Sequence, residues 1–168
     1  MHQQLHLGYL TVVSDIPGQG GYLGGYLVTN AWGRPLEFRL SSPVQPSKLH
    51  LILYGPHLKP YVFAEVIGKT LVEKATLPAD LILTDCEPAL DLRQHLAVPV
   101  AFVPAGSPSE AAASGQRFVC HPRFPEDAEA VRRLLEAVEL PGELGEPFGR
   151  IREALAEARK AGVLSRAA

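Results

Sequence analysis

Cysteine is scarce in this chain: Cys86 and Cys120 are the only two in 168 residues. Two thiols cannot build a disulfide framework, which excludes a small oxidised scaffold and makes a reducing cytoplasm with free thiols the expected setting. There is no CxxC pair of the kind that supplies structural zinc ligands. Long hydrophobic runs are missing too. No stretch approaches the length of a membrane-spanning helix, and the start "MHQQLHLGYL" has neither the basic region nor the apolar run of a secretory signal. No membrane partner is expected. Charge of one sign is also lacking: the formal net charge is −2. Charge alone therefore points to neither a strongly basic nucleic-acid binder nor an anionic-membrane binder. The glycine-rich stretch "GQGGYLGG" has no closing Lys-Ser/Thr and no GxGxxG spacing before a helix, so it reads as a flexible hairpin rather than a phosphate loop.

What is present is enough for one folded domain with a short appendage. Hydrophobic residues make up 46 %, and 15 glycines and 15 prolines mark many turns. Residues 5–13 alternate, with apolar residues on both faces, which predicts a central strand. A second strand is expected over 21–30. A third, over 35–41, would set Leu36, Phe38 and Leu40 on one face and Glu37 and Arg39 on a solvated one. Ser47 caps a short apolar helix to residue 54. A longer helix runs from Pro60 to about Ala75.

The strand 80–84, a short helix from Pro88 to about Leu96 and the strand 99–103 form an apolar strand–helix–strand unit. That spacing predicts parallel pairing. Residues 104–116 are rich in Gly, Ser, Pro and Ala and are expected to be mobile. "RFVCH" is a last short strand. A helix begins near Pro125, and another covers about 147–161. The order is β-β-β-α-β-α-β-β-α-α, an α/β fold with a mixed sheet: an antiparallel meander plus parallel strands, helices on the faces. We expect one domain over 1–140 and a C-terminal helical extension, 141–168, packed on it.

This order, together with the acids Asp15, Glu65, Asp85 and Asp127, resembles the ribonuclease H-like superfamily over roughly residues 5–103. Asp15 ends the first strand ahead of the turn "IPGQGG", Glu65 lies in "YVFAEVIGKTLVEKA", Asp85 ends the fourth strand in "LILTDC", and Asp127 opens a late helix in "FPEDAEAV". The resemblance implies a Mg²⁺-dependent nuclease or phosphoesterase. Asp15, Glu65 and Asp85 would then be metal ligands and Asp127 a fourth catalytic acid, with nucleic acid as substrate. Clustered carboxylates suit Mg²⁺, and a metal pair can serve both the attacking and the leaving oxygen.

Each acid also has a plainer reading. Asp85 can cap the helix behind it. Asp15 can stabilise a turn, and Asp127 can serve the dipole of its helix. The apolar positions Val62, Phe63, Val66, Ile67 and Leu71 put Glu65 on the opposite, solvated side. Cys86, near a helix start, with His121 as partner would make a thiol nucleophile. Cys86, Cys120 and His121 would make an incomplete zinc site, and buried inert thiols are the simplest reading. Trp32 and Arg34, at the tip "NAWGRP", are residue types that dominate binding hot spots. With no complete catalytic motif, the expectation is a non-catalytic interaction or accessory module that binds a protein partner, a second copy included. No cofactor is then expected. The alternative is the Mg²⁺-dependent nuclease.

Overall fold

The computed structural model describes residues 4–14, 21–104, 117–138 and 143–162. Strand β1 (Leu7–Ser14) pairs antiparallel with β2 (Tyr22–Thr29), which pairs antiparallel with β3 (Pro35–Leu40). On its other side β1 pairs in parallel with β4 (Leu81–Thr84), and β4 in parallel with β5 (Val100–Phe102). The short β6 (Val119–Cys120) closes the sheet antiparallel to β5, giving the order β3-β2-β1-β4-β5-β6. The expected mixed sheet with helices is therefore found, and β1 is indeed central, with six of its eight residues buried.

Helix α1 (Lys48–Tyr54) is capped by Ser47, whose hydroxyl accepts the His50 amide at 3.2 Å. It stops at Gly55, whose φ of +52° is open mainly to glycine. Pro56 follows, and a single helical turn (Gly55–His57) leads into α2. Helix α2 begins at Leu58–Pro60, widens into a π-helical stretch over Tyr61–Lys69 and ends as Thr70–Lys74. The helix expected after β4 is a 3₁₀ helix, Glu87–His95. The last two helices are α3 (Asp127–Glu136) and α4 (Glu146–Lys160).

The alternation of β1 sends its two sets of side chains into two cores. Leu10 and Val12 join Tyr26, Ile67, Leu71, Ile82 and Leu92 beneath α2 and the 3₁₀ helix. Leu7 and Tyr9 join Leu23, Leu83, Phe148, Ile151 and Leu155 beneath α4. Helix α4 is thus one of the two layers covering the sheet. The expected boundary with a C-terminal extension, at 140–141, falls outside the described residues.

Both helix layers come close to β2 at its paired glycines. A Cβ on Gly24 would run into the Ile67 side chain of α2, and one on Gly25 into Ile151 of α4. These glycines are therefore not hinge residues of a flexible hairpin. They are the places where a bare backbone lets helices pack on both faces at once.

One expectation for β3 changes. Glu37 does not sit on a solvated face: its half-buried carboxylate accepts the amides of Thr76 (2.9 and 3.0 Å) and Leu77 (2.9 Å) just past α2. Those amide bonds, with Arg39, hold its pKa below the usual carboxylate value. Leu36 and Phe38, expected on a core face, are each 37 % exposed, because β3 is the edge strand of the sheet.

Candidate functional site

The parallel register Leu10↔Thr84 places Thr11 level with Asp85, just past the end of β4. Thr11 Oγ1 donates to Asp85 Oδ1 at 2.6 Å, and Arg152 of α4 donates to Oδ2. The Cys86 thiol lies 3.4 Å from Oδ1 and 3.6 Å from the Val12 carbonyl. Asp85 is not a helix cap: the 3₁₀ helix starts from Cys86 with no side-chain cap. Its carboxylate instead ties β1, β4 and α4 together at one end of the sheet.

Glu65 lies in the π-helical stretch of α2 and is exposed, as its periodicity predicts. Its carboxylate is 3.4 Å from His95 Nε2. The two flank a polar cleft of about 240 Å³, lined also by Tyr54, His57, Tyr61 and Asp91. Tyr54 and Tyr61 stack at one side, with centroids 4.4 Å apart and planes within 15°.

Asp127 does more than favour a helix dipole. It is buried and accepts Arg93 Nε at 2.7 Å. Arg93 also donates to the Leu96 carbonyl at 2.7 Å and lies 3.8 Å over the Phe124 ring. Asp15 lies outside the described residues. The other three acids thus have separate partners: Arg152 for Asp85, His95 for Glu65, Arg93 for Asp127. Among the described residues no group of three or more His, Cys, Asp or Glu is placed to hold a metal ion. Glu65 and Asp85 in these pairings do not fit a shared Mg²⁺.

The thiol nucleophile does not survive. Burial, and then the Asp85 charge, push the Cys86 pKa up to about 11, so the thiol stays protonated near neutral pH. The supposed partner His121 is buried and committed elsewhere. Its Nδ1 accepts the Arg123 amide at 3.1 Å, which leaves Nε2–H facing Asp91 at 3.0 Å. The expected effect of a helix start on Cys86 is outweighed by desolvation beside a carboxylate.

Trp32 and Arg34 lie on the β2–β3 turn as expected. Asn30 Oδ1 accepts both of their amides at 3.0 Å, and Gly33 takes φ +84°. The turn is also fastened from below, where Arg150 donates to the Gly33 carbonyl at 2.9 Å. Trp32 is 60 % exposed.

A larger apolar surface escaped sequence reasoning. Leu49, Leu51, Ile52 and Leu53 of α1 are between 52 % and 70 % exposed, and no residue of this helix is buried. Its sequence, "KLHLILY", is apolar apart from Lys48 and His50, and such a helix is ordinarily read as buried. The available signal was its isolation between Pro46 and the Gly55-Pro56 break, which leaves it too short to lie across the sheet.

No protein-family model and no curated protein matches this sequence. Among solved structures it is similar to endonuclease V of Ciona intestinalis in complex with a 24mer DNA containing an inosine followed by a ribo-adenosine. The TM-score is 0.40 at 11 % identity, over 78 % of this chain. The D234N form of that enzyme, with a 23mer DNA, gives a TM-score of 0.39 at 9 % identity. This chain spans 56 % of the length of either structure.

Proposed function

We propose that this chain is a non-catalytic accessory module on an α/β scaffold, which docks through α1 and pairs there with a second copy of itself. The observation that carries this reading is the exposure of four large aliphatic side chains on one seven-residue helix. A helix this short is marginal in water, so four aliphatic side chains each more than half exposed on it are best explained by a partner. The stretch Leu49–Tyr54 contains no acid, lysine or arginine. A charged partner would leave its charges unpaired against it, whereas a two-fold arrangement sets like aliphatic surfaces together. Trp32 and Arg34 supply a further exposed anchor of hot-spot type. The oligomeric state of the purified chain, with and without charges placed in α1, tests the reading.

A second reading is a Mg²⁺-dependent, ribonuclease H-like nuclease or phosphoesterase using Asp15, Glu65 and Asp85, with Asp127 as a fourth acid and nucleic acid as partner. One observation favours it: β1 and β4 run parallel, so Asp85 lies at the end of the sheet where Ser14 closes β1 and leads to Asp15. For metal to bind there, Arg152 must leave Asp85. Cleavage of single- or double-stranded nucleic acid with Mg²⁺ or Mn²⁺, lost in Asp85→Asn, would establish this reading and overturn the first. No cleavage with either metal removes it.

A further inference from the structure

The core on the α2 side of the sheet has an unfilled margin. Val72, Ala75, Thr76, Leu77, Ile82 and Leu96 are among the walls of a cavity of about 440 Å³, and Tyr26 reaches it from β2. That volume is in the range of small-molecule sites, and mostly apolar walls with few polar groups are their usual composition.

Tyr26 is 1 % exposed, and its hydroxyl finds no hydrogen-bond partner among the described residues. A buried hydroxyl left unpaired is costly and seldom retained without a reason. Its position follows from the sheet. Tyr26 pairs with Leu10, and its ring lies across Gly8, where a Cβ would collide with the hydroxyl. Gly8 pairs in turn with Ile82, a wall of the cavity. Glycine at position 8 thus makes room for the hydroxyl, on the strand next to Ile82, and Tyr26 and Ile82 are both walls of the cavity. Burial, and the Glu37 charge, hold Tyr26 far above the ordinary tyrosine pKa, so it remains a donor.

We infer that this cavity is a binding site for a neutral, chiefly hydrocarbon small molecule carrying one acceptor oxygen, which takes the Tyr26 hydroxyl hydrogen. Charge on the ligand is disfavoured. Among the described residues no Lys, Arg, His, Asp or Glu lines the cavity, and the Glu37 carboxylate beside Thr76 and Leu77 is already paired with Arg39, so neither charge is free for a ligand. Val72, Leu77 and Leu96 are only half-buried. A rotamer change of one of them opens the hydroxyl to the ligand oxygen. The site is independent of the docking helix and of Asp85.

Titration of the ¹⁵N-labelled full chain with cyclohexanone and with methylenecyclohexane tests the inference. Both are expected to shift the amides of residues 75–77, 79 and 96–98. Tyr26→Phe should weaken cyclohexanone about 5- to 10-fold, the span of one net hydrogen bond, and leave methylenecyclohexane unchanged. Ala97 is exposed at the cavity mouth, so Ala97→Trp covers it without disturbing the core and should abolish both sets of shifts. The inference is overturned if neither compound moves those amides at its solubility limit, or if Tyr26→Phe changes both affinities alike or neither.

Discussion

Arg152 of α4 donates to the carboxylate of Asp85 at the end of β4, joining residues 67 positions apart. Because Thr11 holds the other oxygen, this pair fastens the C-terminal helix to the junction of β1 and β4. Arg152→Ala leaves a carboxylate that is 9 % exposed with one partner fewer. Half of the Arg152 side chain is in solvent, so the loss should be modest, about 1 kcal/mol in urea unfolding. Asp85→Asn in the Arg152→Ala background should add less than it does alone, as coupled neighbours do. Strict additivity would show that the two do not act together.

The pair Arg93–Asp127 should matter more. Both side chains are largely buried, and Arg93 is fixed further by Leu96 and Phe124. Asp127→Ala strands a buried guanidinium, and the expected cost is about 3–5 kcal/mol. The urea midpoint should fall without a change in m-value. A loss under 1 kcal/mol would mean that water already screens the site.

At Gly24 and Gly25 the prediction is steric. Gly24→Ala and Gly25→Ala each force an isoleucine of an opposing helix to move, Ile67 in one case and Ile151 in the other. Each should cost about 1–3 kcal/mol, although alanine favours ordinary strand backbone. Gly24→Ala with Ile67→Val should recover part of the loss, because the shortened side chain relieves the contact. A neutral Gly24→Ala would show that α2 is free to shift.

Cys86 sets a pH dependence of definite sign. Its folded pKa is raised from 9.0 to about 11, so the folded state holds the thiol proton more tightly than the unfolded state does. The associated stability is complete below about pH 9 and is lost as pH rises toward 11. The urea midpoint of the native chain should drop more steeply across that window than that of Cys86→Ala. Identical slopes would contradict the assignment. Iodoacetamide at neutral pH should likewise modify Cys86 slowly, because the protonated thiol is not the nucleophile.

The order of elements was legible in the sequence because each element carries its own period and punctuation. β1 is apolar on both faces, Ser47 and Gly55 bracket α1, and the spacing of 80–84, 88–96 and 99–103 specified the parallel crossover. The identity of the side-chain partners was not. Nothing near Asp85 announces Arg152, and nothing near Asp127 announces Arg93, because α4 and the 3₁₀ helix supply them from distant parts of the chain. The role of Gly24 and Gly25 was hidden for the same reason: glycine in a strand reports a close approach without saying by what. Exposure of α1 could not be read from its composition, since apolar residues on every side mark a buried helix and an uncovered one equally.

Sedimentation equilibrium of the purified full chain tests the central claim, that α1 is covered by a second copy. The wild type should be a concentration-dependent dimer. Leu49→Glu with Ile52→Glu should be a monomer with unchanged circular dichroism, and its unfolding free energy should differ by no more than about 0.5 kcal/mol from that of the wild type at a dilution where the wild type is monomeric, because both positions are exposed in the isolated fold. A wild type that stays monomeric up to about 100 μM, where even a weak specific interface fills, or a dimer that survives both glutamates, would contradict the account.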